Sequence, residues 1–175
     1  MGVSKGLVMP TEASKLAHTF ARFSLISLLL LGSGLLEAKG NDLTLAVDLR
    51  NEVESARKQG GPLVIIYSRR DCKYCETVKR DYLKPLANNP RYRERVLIRQ
   101  VNQDGDGNLI DFQGNPTTHA RFTTTEKVKL VPVVAFYGPN GRQLADPIVG
   151  ARLPDFYQGY LEEALDRSIS ELKKR

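Results

Sequence analysis

Cys72 and Cys75 are the only two cysteines in the 175-residue chain, separated by Lys73 and Tyr74. A dithiol at this spacing either opens and closes a disulfide or supplies half of a zinc site. The chain has two histidines, and His18 falls in the leader described below, which leaves His119. A closed four-ligand zinc site would then need carboxylates or a second chain, so a redox pair is expected and no metal.

The elements around the pair favour thiolate chemistry. Leu63 to Tyr67 is a continuous, β-branched apolar run between Gly60-Gly61-Pro62 and polar Ser68 to Asp71, the pattern of a buried strand. After it, Cys75, Val78, Tyr82 and Leu86 recur at three- and four-residue steps, which predicts an amphipathic helix with the cysteines in its first turn. Unpaired N–H groups and the dipole at that helix start stabilise a thiolate at Cys72. Lys73, Arg69 and Arg70 add to this, and Asp71 opposes it.

Met1 to Arg22 is a basic stretch with Lys5, Lys15 and Arg22, followed by the apolar Phe23 to Leu36 and by Leu36-Glu37-Ala38 as a cleavage site. This is the pattern of a signal peptide over residues 1–38. The apolar stretch is shorter than the ~20 residues of a membrane span, with an uncleaved anchor as the alternative. A thiol pair in an oxidising compartment, without structural disulfides, serves exchange rather than stapling. Residues 39–175 have the length of one domain. Leaving out Lys5, Lys15, Arg22, Glu12 and Glu37 takes 26 basic and 20 acidic residues to 23 and 18, a net charge of +5. Scattered basic residues without interleaved aromatics read as a solvated surface, not a nucleic-acid site.

Along the domain, Asn41 or Asp42 is expected to cap a first helix running to Lys58, with Leu45, Leu49, Val53 and Ala56 on one face. Pro85 marks a kink in the cysteine helix and Asn88-Asn89-Pro90 its end. Val96 to Val101 predicts a strand, Pro116 to Glu126 a short helix, and Lys129 to Tyr137 a strand. Gly138-Pro139-Asn140-Gly141 reads as a hairpin turn into Gln143 to Val149. A last helix carries Phe156, Tyr160, Leu161, Ala164, Leu165, Ile169 and Leu172 as its apolar stripe. Strands alternating with helices and ending in a hairpin give an α/β domain, a mixed sheet covered by helices.

From Leu63 to Leu172 the chain resembles exported bacterial thioredoxin-like proteins, on L-V-I-I-Y-S with C-K-Y-C, V-P-V-V-A-F-Y, G-P-N-G-R and the glycine of I-V-G-A. The resemblance implies a thioredoxin fold. It makes Cys72 the attacking sulfur and Cys75 the resolving one, and it makes the Val131-Pro132 bond cis, with Pro132 beside the cysteines and Val131 pairing main chain to main chain with substrate. Cytoplasmic thioredoxins have a buried carboxylate where this chain has Ile66, so water, Lys73 or a substrate group must take the proton of Cys75. Tyr74 before the second cysteine is similar to periplasmic isomerases and related exported thioredoxins. It is placed with Val131 and Pro132 in the substrate site, and Lys73 is the residue that tunes the thiol. The connection from Cys75 to Pro132 is longer than in compact thioredoxins, with the extra residues expected within Gly105 to Glu126.

Asn102 to Leu109 resembles the start of an EF-hand loop, but Asn102 and Gln113 stand where carboxylates are needed, so a Gly-Asp turn is the better reading. His119 reads as a polar residue of a Thr-rich surface helix, with a general base folded over the cysteines as the alternative. The function expected is that of an exported, periplasmic, monomeric thiol-disulfide oxidoreductase acting on protein disulfides. It would work as a reductase recharged by a membrane electron donor, with no dissociable cofactor. Oxidant or isomerase comes second within the enzyme class. A non-catalytic binding module or thiol metal carrier is the alternative outside it.

Overall fold

Strand β1, Leu63–Ser68, is buried at every position. Its alternate side chains enter two different cores, Val64 and Ile66 on one face, Leu63, Ile65 and Tyr67 on the other. A strand covered on both faces needs no polar alternation, which is why it reads as an unbroken apolar run. The computed structural model describes residues 1–2, 43–151 and 154–174, and all but the first two belong to one unit, Gly40–Arg175. The leader, its cleavage site and the capping candidates Asn41 and Asp42 lie outside the described residues. Among the described residues no helix is long and apolar enough to cross a membrane.

The four-stranded sheet has the order β2-β1-β5-β6, where β2 is Leu97–Asn102, β5 is Val133–Tyr137 and β6 is Gln143–Val149. β2 runs parallel to β1, β5 antiparallel to β1, and β6 antiparallel to β5. The β5–β6 connection is the expected tight turn, with Asn140 and Gly141 at positive φ. A Cβ on Gly141 would lie 2.4 Å from the Phe112 ring, so glycine is required there for space as well as for conformation.

Helix α1 is Leu49–Lys58, capped by Asp48, whose side chain accepts the N–H of Asn51 at 2.9 Å. This corrects the expected start. Thr44 to Ala46 is extended and pairs with Gln100 of β2, Ala46 N–H donating to the Gln100 carbonyl at 2.9 Å. Leu45 is therefore exposed and Ala46 is buried in its place. Helix α2 carries the cysteines as α-helix Lys73–Val78, a π turn Lys79–Leu83 and α-helix Lys84–Asn88. The π turn adds one residue to the repeat, so that Leu83 joins Cys75, Val78 and Leu86 in the interior and Tyr82 is only half-buried.

The long connection holds a two-stranded sheet, β3 Asn108–Ile110 and β4 Pro116–Thr118, and then α3, His119–Thr125. Its helix is thus shorter than the predicted span, with Pro116 to Thr118 in β4. β5 begins at Val133 and not Lys129, because Lys129 and Leu130 are exposed and Pro132 has no N–H for a ladder. Helix α4, Pro154–Lys173, covers the same face as α2. Its buried stripe is set by Tyr157, Leu161, Ala164, Leu165, Ser168 and Ile169, while Phe156 and Tyr160 are exposed. On the other face, α1, β3, α3 and the extended segment close the second core around Phe112, Phe122 and Tyr137.

Candidate functional site

β1 and β5 bring the site residues to one end of the sheet. In the antiparallel register Tyr67 faces Val133, so Pro132 comes level with the end of β1, where the chain leaves for the cysteines. Asn102 pairs with Ser68 on the other side, and Gly150 N–H donates to the Pro132 carbonyl at 2.8 Å. The Val131–Pro132 peptide bond is cis. Pro132 is buried, Val131 half-buried, and Leu130 and Val149 beside them are exposed.

Cys72 and Cys75 form a disulfide with Cα atoms 5.2 Å apart. Cys72 is the N-cap of α2, in extended conformation, and its sulfur accepts the N–H of Cys75 at 3.2 Å. A cap position gives the sulfur what a serine or aspartate oxygen would use, an N–H with no intrahelical partner, and the same donor stabilises a thiolate once the disulfide opens. The two cysteines differ in burial: Cys75 is fully buried, whereas Cys72 keeps 9 % of its surface.

Lys73 and Tyr74 are both exposed on the first turn, between the two cysteines. The turn into Cys72 depends on Asp71, whose φ of 58° lies in the left-handed region, where aspartate is among the few tolerated side chains. Arg69, Arg70 and Asp71 are exposed.

The EF-hand-like stretch has a different use. Asp104 accepts the backbone N–H of Arg70 with both oxygens, at 3.3 and 3.1 Å, and Gln103 N–H donates to the Ser68 carbonyl at 2.7 Å. Asp111 accepts from the backbone of Gln113 and Asn115, which folds the β3–β4 turn. Among the described residues no group of three or more metal-ligating side chains comes together.

His119 is not on the surface. It is 4 % exposed, and its Nδ1 accepts the N–H of Asn102 at 3.1 Å. Burial lowers its pKa, against a hydrogen bond to the Ala46 backbone that raises it. Its structural role is to join α3 to the end of β2 and to the extended segment before α1. The residue that the sequence reading did not single out is Lys79, buried in the cysteine helix. A cation in an apolar-periodic stretch, four residues after Cys75, was the available signal.

A thioredoxin-like protein from Edwardsiella tarda EIB202 is 19% identical, over 66% of this chain and 98% of that one, with a TM-score of 0.47. Thioredoxin O2 of Arabidopsis thaliana in its oxidized state is 19% identical, over 69% and 94%, with a TM-score of 0.46. Fasciola hepatica thioredoxin is 15% identical, over 72% and 99%, also at 0.46. TM-scores below 0.5 give these likenesses no weight of their own. No curated protein matches the chain. The sequence model described as "Thioredoxin-like domain" matches residues 49–165, two thirds of the chain, from α1 through the cysteine pair and the Val131–Pro132 bend into α4; the chain belongs to the thioredoxin-like domain family.

Proposed function

We propose that this protein is a thiol-disulfide oxidoreductase that reduces disulfides of client proteins through Cys72 and Cys75. The observation that carries the reading is the asymmetry of the pair: a helix-capping Cys72 that keeps 9 % of its surface, joined to a fully buried Cys75. In the reduced protein the Cys72 thiolate attacks a client disulfide, and Cys75 then displaces the client from Cys72. Supporting a client site, Val131 precedes β5 at the same sheet end, half-buried, with exposed Tyr74 and Leu130 near in sequence to the two elements that meet there. An extended client segment alongside Val131 would be held by main-chain pairing.

The leader pattern of residues 1–38 supports export to the periplasm, where a reductase must be recharged by a membrane electron donor. Action as a monomer completes the reading. The reduction potential tests the direction. A value near the −270 mV of thioredoxin, about the strongly reducing end of the family range, supports a reductase, and one near about −120 mV makes the protein an oxidant. Turnover of insulin disulfides with a chemical reductant should accompany the first result and vanish in Cys72→Ser.

A further inference from the structure

Lys79 is 2 % exposed, on the helix that carries the cysteines, and no step described so far uses it. It lies four residues after Cys75, so the two side chains share one helix face, with Cβ atoms about 5–6 Å apart in helical geometry. Helical side chains lean toward the N-terminus of their helix. This runs Lys79 back over the turn that bears Cys75 and Glu76, and its Nζ stands 2.6 Å from Glu76 Oε1. Lys79 and Glu76 line a cleft of about 270 Å³ that reaches the loop before Cys72, with Gln100 of β2 in its wall.

Gln100 sits beside Ile66 in the β1–β2 register and is 6 % exposed, and its Oε1 is buried without a hydrogen-bond partner among the described residues. The cleft is also lined by the charged Arg69, Arg70, Asp71 and Asp104, but Lys79 itself is buried. Its charge therefore acts on its neighbours through a lower effective dielectric than a solvated charge such as that of Lys73. Burying an ammonium group is costly, and a methionine would fill the same space without that cost. Glu76, with a side chain 45% exposed, offsets the charge from the solvent side.

We propose that Lys79 is a positioning residue for disulfide exchange: its ammonium stabilises the thiolate of Cys75 in the step that resolves the mixed disulfide, and Glu76 sets how strongly. This rests on the reading of Cys72 and Cys75 as an exchange pair. In the first step the Cys72 thiolate attacks one sulfur of the client disulfide. The client S–S bond breaks, and the first client thiolate leaves and takes a proton from water. In the second step Cys75 gives up its proton, and its thiolate attacks Cys72 Sγ. The Cys72–Cys75 bond forms, the bond to the client breaks, and the second client thiolate takes up a proton equal to the one Cys75 released. The client has gained two electrons and the chain has lost two. Lys79 stays protonated throughout and lowers the cost of the proton release from Cys75.

Ellman's reagent, an aromatic disulfide, separates the two steps in the reduced full-length protein: a first coloured thiolate leaves on attack by Cys72, a second on attack by Cys75. Stopped-flow release would be followed from pH 5 to 10 for the wild type, Lys79→Met, Lys79→Arg and Glu76→Gln, with circular dichroism on each. Lys79→Met should slow the second phase about tenfold at pH 7 and move its pH midpoint up by about one unit, leaving the first phase nearly unchanged. Glu76→Gln should move the midpoint down, and Lys79→Arg should behave as wild type. A purely structural ion pair would give the two neutral variants the same direction of change. Midpoints that stay fixed, or that move together, overturn the role of Lys79 while a two-phase wild type still upholds the exchange pair. Two independent, equal releases in the wild type would overturn the exchange pair itself.

Discussion

Asp104 holds the backbone N–H of Arg70 between both of its carboxylate oxygens, at 3.3 and 3.1 Å. With Gln103 N–H on the Ser68 carbonyl, this ties the turn after β2 to the loop that delivers Cys72. The acceptor is ionised and the donor is main chain, so the bond belongs to the stronger kind, roughly 1.5–3 kcal/mol where buried and less at this exposed loop. Asp104→Ala should therefore speed hydrogen exchange at the Arg70 amide and slow disulfide exchange at Cys72, with a stability loss of about 1 kcal/mol or less. An unchanged Arg70 amide in the variant would show that the tether does not form in solution.

Asp71 does two things that one substitution each can separate. Its φ of 58° needs a residue that tolerates the left-handed region, so Asp71→Val should cost roughly 1–2 kcal/mol in denaturant unfolding while Asp71→Gly is tolerated. Its negative charge beside Cys72 opposes the thiolate. Asp71→Asn keeps the conformation and removes the charge, and should lower the pH at which Cys72 becomes reactive by roughly half a unit or less, the size of an exposed charge effect. A rise in that pH would contradict the placement of the charge.

The strands of the four-stranded sheet were legible as apolar runs buried on both faces in β1 and β5, the cysteine helix by its three- and four-residue spacing, and the hairpin by the turn residues Gly138-Pro139-Asn140-Gly141. Positions 75, 78, 82 and 86 predict the helix correctly, but the π turn at Lys79–Leu83 is invisible to a periodic reading, and with it the burial of Lys79 and Leu83. β3 and β4 are too short to show alternation. Leu45 fell on the predicted face of α1 because its spacing to Leu49 is helical, yet the Thr44 and Ala46 backbone pairs with Gln100 instead; a long-range pairing overrode a local pattern. In α4, aromatic Phe156 and Tyr160 mimic a stripe that Tyr157 in fact leads. The cysteines needed only their own spacing, whereas the tether from Asp104 depends on a contact across 34 positions, which no local motif encodes.

His119 gives the fold a pH dependence of known sign. Burial lowers its pKa below the ordinary 6.5, so on unfolding the chain takes up a proton that the folded state resists. The stability associated with neutral His119 is complete above about pH 6.5 and is lost as pH falls through the lowered folded value. Urea midpoints measured from pH 7.5 down to 5 should fall, and His119→Gln should flatten this slope even if it lowers the midpoint at pH 7.5. A slope that survives the substitution in full would assign it to other groups.

The division of labour between the two sulfurs is tested most directly by the rate of alkylation of each cysteine in the reduced protein as a function of pH, read by mass spectrometry of the modified peptides. Cys72, at the helix N-terminus with the Cys75 N–H on its sulfur, should react first, with a midpoint below the ~8.5 of a free thiol. Cys75, fully buried, should stay unmodified until higher pH, and Cys75→Ser should accumulate mixed disulfides with clients where Cys72→Ser does not. Equal rates at both cysteines at neutral pH, or faster modification of Cys75, would contradict the account.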